Sequence, residues 1–168
     1  MSGNSSKLIA FNYFGGKFSW VEQLIKHFPE HEHFVDMFCG SLAVTLNKPY
    51  SNIDTANDIN SEVINFFRVL RNRPEELTTL LRLTPVSREE YNYAWQCYED
   101  VDELEKARMF YVRVRQSFYG LGIQRRNKGW HMSSVHSNTR FGETVSKWHN
   151  AIDSLHDIID RLTHVQLE

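Results

Sequence analysis

Three short stretches carry residue types that could do chemistry together. The first is Tyr13-Phe14-Gly15-Gly16-Lys17, a glycine turn with a phenol and a cation at its ends. The second is Phe34 to Leu46, FVDMFCGSLAVTL. Phe34, Val35, Met37 and Phe38 give a short buried-strand signal interrupted by Asp36. Cys39, Gly40 and Ser41 make a small-residue turn, and Leu42, Ala43, Val44 and Leu46 suit the start of a helix. Strand, glycine turn and helix are the parts of a nucleotide cradle in α/β proteins. Gly40 lets backbone approach a ligand with no Cβ in the way, and a helix N-terminus favours polar or anionic groups. The third stretch, Ser51 to Asn60, reads as a second strand ending in Asp58 with Ile59 beside it. An acid about 20 residues after such a glycine turn sits where a ribose-binding carboxylate belongs.

Taken in order, YxGGK, DxFxGS and NDIN resemble the Dam-like (D12 class) DNA adenine-N6 methyltransferases, which use S-adenosylmethionine. The resemblance spans the whole chain and is vaguer from Arg73 to Leu162. It implies that Tyr13 and Lys17, then Asp36, Phe38 and Gly40, then Asp58 and Ile59 hold the cofactor. The glycine loop would take its methionine part and Asp58 its ribose hydroxyls. One departure is Leu42, where many relatives carry a second glycine. The implied fold is α/β, a partial Rossmann-like class I methyltransferase sheet of about three strands with a large helical insertion for DNA recognition. The expected organisation is residues 1–60 as the first part of the cofactor domain, 61–140 as the helical and loop region, and 141–168 as a helix and strand returning to the sheet.

The elements that must position these residues follow from periodicity and breakers. Phe18, Val21, Leu24, Ile25 and Phe28 recur at helical steps from Lys17 to Phe28, and Pro29 ends that run. Asn60 or Ser61 caps a helix with Val63, Ile64, Phe67, Val69 and Leu70 inward. A helix from Glu75 to Leu83 follows. Ser87 opens a capping box with Glu90 on a third, and Glu103 to Phe118 forms a fourth. Phe141 to Leu162 predicts one long amphipathic helix, and Thr163 to Glu168 a strand.

Charge narrows the partners. The 168 residues carry a net charge of −2, so a nucleic-acid surface must be a local patch. From Glu105 to Lys147 there are nine Lys/Arg against two acids, Glu105 and Glu143, interleaved with aromatics. That segregation suggests a phosphate-facing surface, with Arg125, Arg126, Lys128 and Arg140 as the DNA-binding candidates. Double-stranded DNA is the partner the resemblance implies. His27, His31 and His33 lack further ligands at metal spacing and read as solvated loop histidines, not a metal site. Cys39 and Cys97 read as free thiols in a reducing cytoplasm, and no apolar run reaches membrane-spanning length.

In the resembling family a catalytic (Asp/Asn/Ser)-Pro-Pro-aromatic tetrapeptide lies beyond the last strand found here. It accepts hydrogen bonds from the adenine amine and stacks on the flipped base. Asn47-Lys48-Pro49-Tyr50 looks like it only superficially, having Lys for the first Pro and preceding the second strand. It reads as a turn. The expectation is therefore the cofactor-binding half of an adenine methyltransferase, with no catalytic residues of its own and inactive alone: a cut enzyme, a natural fragment, or half of a split one. The alternative is an inactive DNA-binding or regulatory module on the same fold. In such sheets the first strand is central. Here the edge at Phe34–Phe38 should lie bare or be covered by the N-terminal segment, a second copy or a second polypeptide.

Overall fold

A computed structural model describes residues 7–96, 100–117, 130 and 143–168. The fold is mixed α/β. A 3-10 turn at Phe18–Trp20 leads into α1 (Val21–Ile25), β1 (His33–Asp36), α2 (Ala43–Asn47) and β2 (Ile53–Ala56). Four helices follow, α3 (Ser61–Asn72), α4 (Pro74–Leu83), α5 (Arg88–Gln96) and α6 (Glu103–Arg115). The chain closes with α7 (Glu143–Asp153), α8 (His156–Leu162) and β3 (Val165–Leu167).

The three strands form one parallel sheet in the order β1-β2-β3. Phe34 pairs with Asp54 and Asp36 with Ala56, and Asp54 in turn pairs with Val165. β1 is thus paired on one side only among the described residues. Side chains alternate between faces. Phe34, Asp36, Asp54, Ala56 and Val165 share the face that meets α2 and α8. Val35 and Ile53 share the other face, where they stay 46% and 45% exposed. His33 and Gln166 stand beside them, each sharing a hydrogen bond with the Thr55 hydroxyl, at 2.9 and 3.1 Å. Parallel sheets are ordinarily covered on both faces.

Local chemistry sets the helix ends. Asn60 Oδ1 accepts from the Glu62 amide at 3.1 Å, and Asp102 Oδ1 from that of Glu105 at 2.8 Å. Pro74 begins α4, where its missing N–H costs nothing. Ser87 Oγ accepts from the Glu90 amide at 3.1 Å, half of the expected capping box. Between α3 and α6 lies an aromatic core in which Phe11 meets Phe66, Phe67 and Phe110 with ring centroids 5.3–5.6 Å apart.

Phe11 matters for the site because it pins the N-terminal segment. Burying such a side chain is worth about 1.5–3 kcal/mol. Asn47, at the end of α2, adds a backbone-like clamp: its Oδ1 accepts from the Leu8 amide and its Nδ2 donates to the Leu8 carbonyl, both at 2.7 Å. Held twice, the segment delivers the Tyr13–Lys17 turn to the end of the sheet.

Several expectations need correction. The Lys17–Phe28 run is not one helix but a 3-10 turn and the five-residue α1. The Phe141–Leu162 run breaks at Ser154-Leu155, because Leu155 packs into the core at 0% exposure and the chain must turn to place it there. His33 belongs to β1 rather than a loop. The strand signal at Val35, Met37 and Phe38 is not buried, since these residues lie at the sheet edge and its open face, with Phe38 83% exposed.

Candidate functional site

The strands end at Asp36 and Ala56, and the chain turns sharply after each. After β1, Gly40 sits at φ +48°, the left-handed region that favours glycine. A Cβ there would come within 3.1 Å of the Tyr13 ring, so a side chain would be strained by the backbone and would have to push that ring aside. Leu42 also takes a positive φ, +57°, while fully buried. That conformation costs a non-glycine residue roughly 1–2 kcal/mol. It accounts for a glycine being suited to this position, and burial of the Leu42 side chain offsets the cost.

The upstream turn closes by a hydrogen bond from the Gly16 amide to the Tyr13 carbonyl at 2.9 Å, with Gly15 at φ +75°. This is the position where type II turns require positive φ. A Cβ on Gly16 would lie 2.8 Å from the Tyr13 carbonyl oxygen, a collision with backbone. Lys17 curls back, its Nζ donating to the Gly15 carbonyl at 2.7 Å.

Asp58 joins the two strand ends. Its Oδ2 accepts from the Gly40 amide and its Oδ1 from the Asn60 amide, both at 2.9 Å. The carboxylate therefore fixes the glycine corner relative to the start of α3. Asp36 lies beside it, half-buried, its Oδ2 accepting from the Thr45 hydroxyl at 3.0 Å. Burial pushes the Asp36 carboxyl above the usual carboxylate range; the Thr45 bond opposes this and the charge of Asp58 adds to it. Burial likewise raises the Cys39 thiol, helped by both acids, so it stays protonated and unreactive. Tyr13 is raised by burial too, an interaction with Asn60 opposing.

Of the residues singled out in the sequence, Tyr13, Lys17, Asp36, Phe38, Gly40 and Asp58 line one cleft of about 250 Å³, together with Phe14, Gly15, Gly16, Ser41 and Val44. Ile59 is not among its lining residues and projects outward, 97% exposed. Arg125, Arg126, Lys128 and Arg140 lie outside the described residues. The basic stretch is smaller than its sequence count: Arg108 is buried against Glu90 and Glu105, and Arg113 against Glu62. Glu62 and Glu90 come from other helices, a pairing invisible in a linear count, whereas Glu105 lies one turn before Arg108 on α6 itself.

The sequence reading missed a second ionic cluster at the opposite end of the sheet. Asp54 accepts from Lys48 Nζ at 2.8 Å and from Arg161 Nη2 at 2.5 Å, all three side chains being at most 4% exposed. Lys48 also donates to the Pro49 carbonyl and the Ser51 hydroxyl, and Arg161 stacks on Tyr50 with 4.2 Å from its guanidinium carbon to the ring centroid. Asn47-Lys48-Pro49-Tyr50, expected as a turn, is the last residue of α2 and the link to β2, extended at Lys48, and its role is structural. The only signal was an acid at an inward position of β2.

A parallel sheet with a glycine corner after its first strand and an acid after the next has the arrangement of a Rossmann-like α/β fold. The comparisons with known proteins go further. The chain belongs to the D12 class N6 adenine-specific DNA methyltransferase family, whose family model matches residues 13–159. It is 36% identical to a DNA N-6-adenine-methyltransferase of Escherichia phage P1 over 70 residues, 42% of this chain and 9% of that protein. It is 39% identical to a DNA adenine methylase of Vibrio cholerae over 61 residues, 36% of this chain and 22% of the relative. With the Escherichia coli DNA adenine methylase the match is 27% over 112 residues, 64% of this chain and 40% of the relative. The matched stretch thus spans between 9% and 40% of these relatives. No helix among the described residues is long and apolar enough to cross a membrane.

Proposed function

We propose that the cleft binds S-adenosylmethionine and that the chain serves methylation of adenine N6 in double-stranded DNA. The observation that carries this is the convergence of the Tyr13–Lys17 turn, the Gly40 corner, Asp36 and Asp58 on one cleft. The donor set suits a zwitterionic adenosyl amino acid. Carboxylates suit an ammonium or ribose hydroxyls, Lys17 suits a carboxylate, and exposed Phe38 offers apolar surface for a purine. When bound, S-adenosylmethionine supplies an electrophilic methyl group. The chain's own residues hold and orient it: Gly40 keeps the corner open, Asp58 sets its shape, and Asp36 presents a partly desolvated carboxylate.

The 168 residues contain four prolines, none adjacent to another, and so no Pro-Pro-aromatic segment to orient an amine. We propose that these residues alone bind cofactor without transferring methyl. Residues outside these 168, whether of the same chain, a second copy or a second polypeptide, would complete the site against the edge of β1 left unpaired among the described residues, beside exposed Val35 and Phe38. A cytoplasmic setting accords with two cysteines and a DNA substrate. Arg125, Arg126, Lys128 and Arg140 are proposed to meet DNA phosphates. Neutralising Arg125 and Arg126 together should flatten the salt dependence of DNA binding by about two units of slope at most.

Calorimetric titration with S-adenosylmethionine tests the central claim. Saturable binding to one site is expected, and no heat from the folded chain removes the claim. Methyl transfer to DNA by the 168-residue chain alone would overturn the proposal that it lacks catalytic groups.

A further inference from the structure

We propose that Arg113, on α6 in the helical layer, is a positioning residue for the glycine corner, acting through Glu62. The proposal rests on reading the cleft as a cofactor site. A continuous hydrogen-bonded path joins them. Arg113 Nη2 donates to Glu62 Oε1 at 2.6 Å. The Glu62 amide donates to Asn60 Oδ1 at 3.1 Å, and the Asn60 amide to Asp58 Oδ1 at 2.9 Å. Asp58 Oδ2 then accepts from the Gly40 amide at 2.9 Å. Every link after Glu62 pairs a backbone amide donor with a short side-chain acceptor, Asn60 or Asp58, so a shift at the start of α3 is passed to Gly40 through two side chains held at both ends.

The pair is placed to act on orientation. Arg113 is 8% exposed and Glu62 21%, and the Trp95 ring lies 5.1 Å from the guanidinium carbon, fixing the fork. Glu62 already enjoys the first turn of α3, where the helix dipole favours an acid. The helix can form without Arg113, whose bond instead fixes where that acid, and the turn before it, stand. Arg113 also neutralises from behind one of three carboxylates near the cleft. This leaves the field of Asp58 and Asp36 for a ligand. Tyr13 feels Asp58 and Glu62 together, which places both acids about the same corner.

Two readouts test this. Amide exchange at Gly40, followed by NMR in the ligand-free protein, reports the corner directly. S-adenosylmethionine affinity reports its use. Arg113→Met should speed Gly40 exchange and weaken affinity, each by roughly tenfold, the scale of one charge-assisted hydrogen bond. Arg113→Lys should restore most of both. Arg82→Met, which removes the exposed pair with Asp153, should change neither. Combined with Asp58→Asn, Arg113→Met should cost less affinity than the product of the single effects, because both cut one path. If Arg113→Met fails to fold, Glu62→Gln weakens the same link from the other side. Unchanged Gly40 exchange in a folded variant overturns this inference whatever the ligand. Absence of S-adenosylmethionine binding by the unaltered chain, with Gly40 exchange still responding, overturns the cofactor reading instead.

Discussion

The two ends of the sheet use aspartate in opposite ways. At the end where the strands begin, Asp54 is buried between Lys48 and Arg161, and every charge has a counter-charge within hydrogen-bonding distance. At the other end, Asp36 and Asp58 accept from a hydroxyl and backbone amides, with no ion pair to either among the described residues. The first arrangement closes the fold. The second holds two negative charges near each other at the mouth of a cleft, which is unfavourable until a cation or hydroxyl donor arrives. An acid consumed by structure and an acid left for a ligand are separated by the partners that the tertiary fold brings, not by residue type.

The largest effect should come from the closed end. Asp54→Asn leaves Lys48 and Arg161 buried without their carboxylate and should cost about 3–5 kcal/mol of stability. In a chain of this size that is a fall in Tm of roughly 10 °C, measurable by thermal unfolding. A drop of only a degree or two would show that the cluster is wet rather than closed. Burial opposes ionisation of Asp54, but the bonds from Lys48 and Arg161 outweigh it and hold the carboxyl below its usual range. Its contribution is therefore present above the unfolded value of about 3.9 and lost as pH falls below it. The acid limb of the stability curve should flatten in Asp54→Asn.

At the open end the effect should fall on binding. Asp58→Ala should weaken S-adenosylmethionine binding by about 1.5–3 kcal/mol. Unchanged affinity in the calorimeter would place the ribose elsewhere. Gly40→Ala meets both the positive φ and the Tyr13 ring. It should destabilise by about 1–2 kcal/mol and lower affinity, read by denaturant unfolding and by titration.

Asp36→Asn sharpens the contrast most finely, because its two effects differ in sign. The Asp36 carboxyl is raised in the fold, so its ionised form is a liability that grows as pH rises from the unfolded value to the folded one. Removing the charge should leave stability at neutral pH unchanged or higher, the reverse of Asp54→Asn, while cofactor affinity falls. In the unaltered chain, affinity should decline on acidification at a pH above the ordinary aspartate value. Loss of both stability and affinity in Asp36→Asn would mean that the two ends are built alike.

Much of this site was legible in the chain because it is local. Gly40, Asp36 and the Tyr13–Lys17 turn are each read from a few neighbouring residues. Asp58 follows from the spacing a second parallel strand imposes. The caps at Asn60 and Ser87 are equally local. Other features depend on distant partners. Asp54 and Asp58 are four positions apart, and nothing in that stretch says that one will meet Arg161, 107 residues away, while the other turns to Gly40. Arg113 and, beyond its neighbour Glu105, Arg108 looked like surface charge until α3 and α5 placed Glu62 and Glu90 against them.

The sequence by itself determined the order of the elements, the glycine corners and the family, because backbone sterics and strand spacing act over a few bonds. Only the tertiary structure decided which charges cancel, which face of the sheet stays bare and where the last helix breaks. Those outcomes depend on which surfaces meet, and a buried charge or an uncovered strand is defined by what stands opposite it in space.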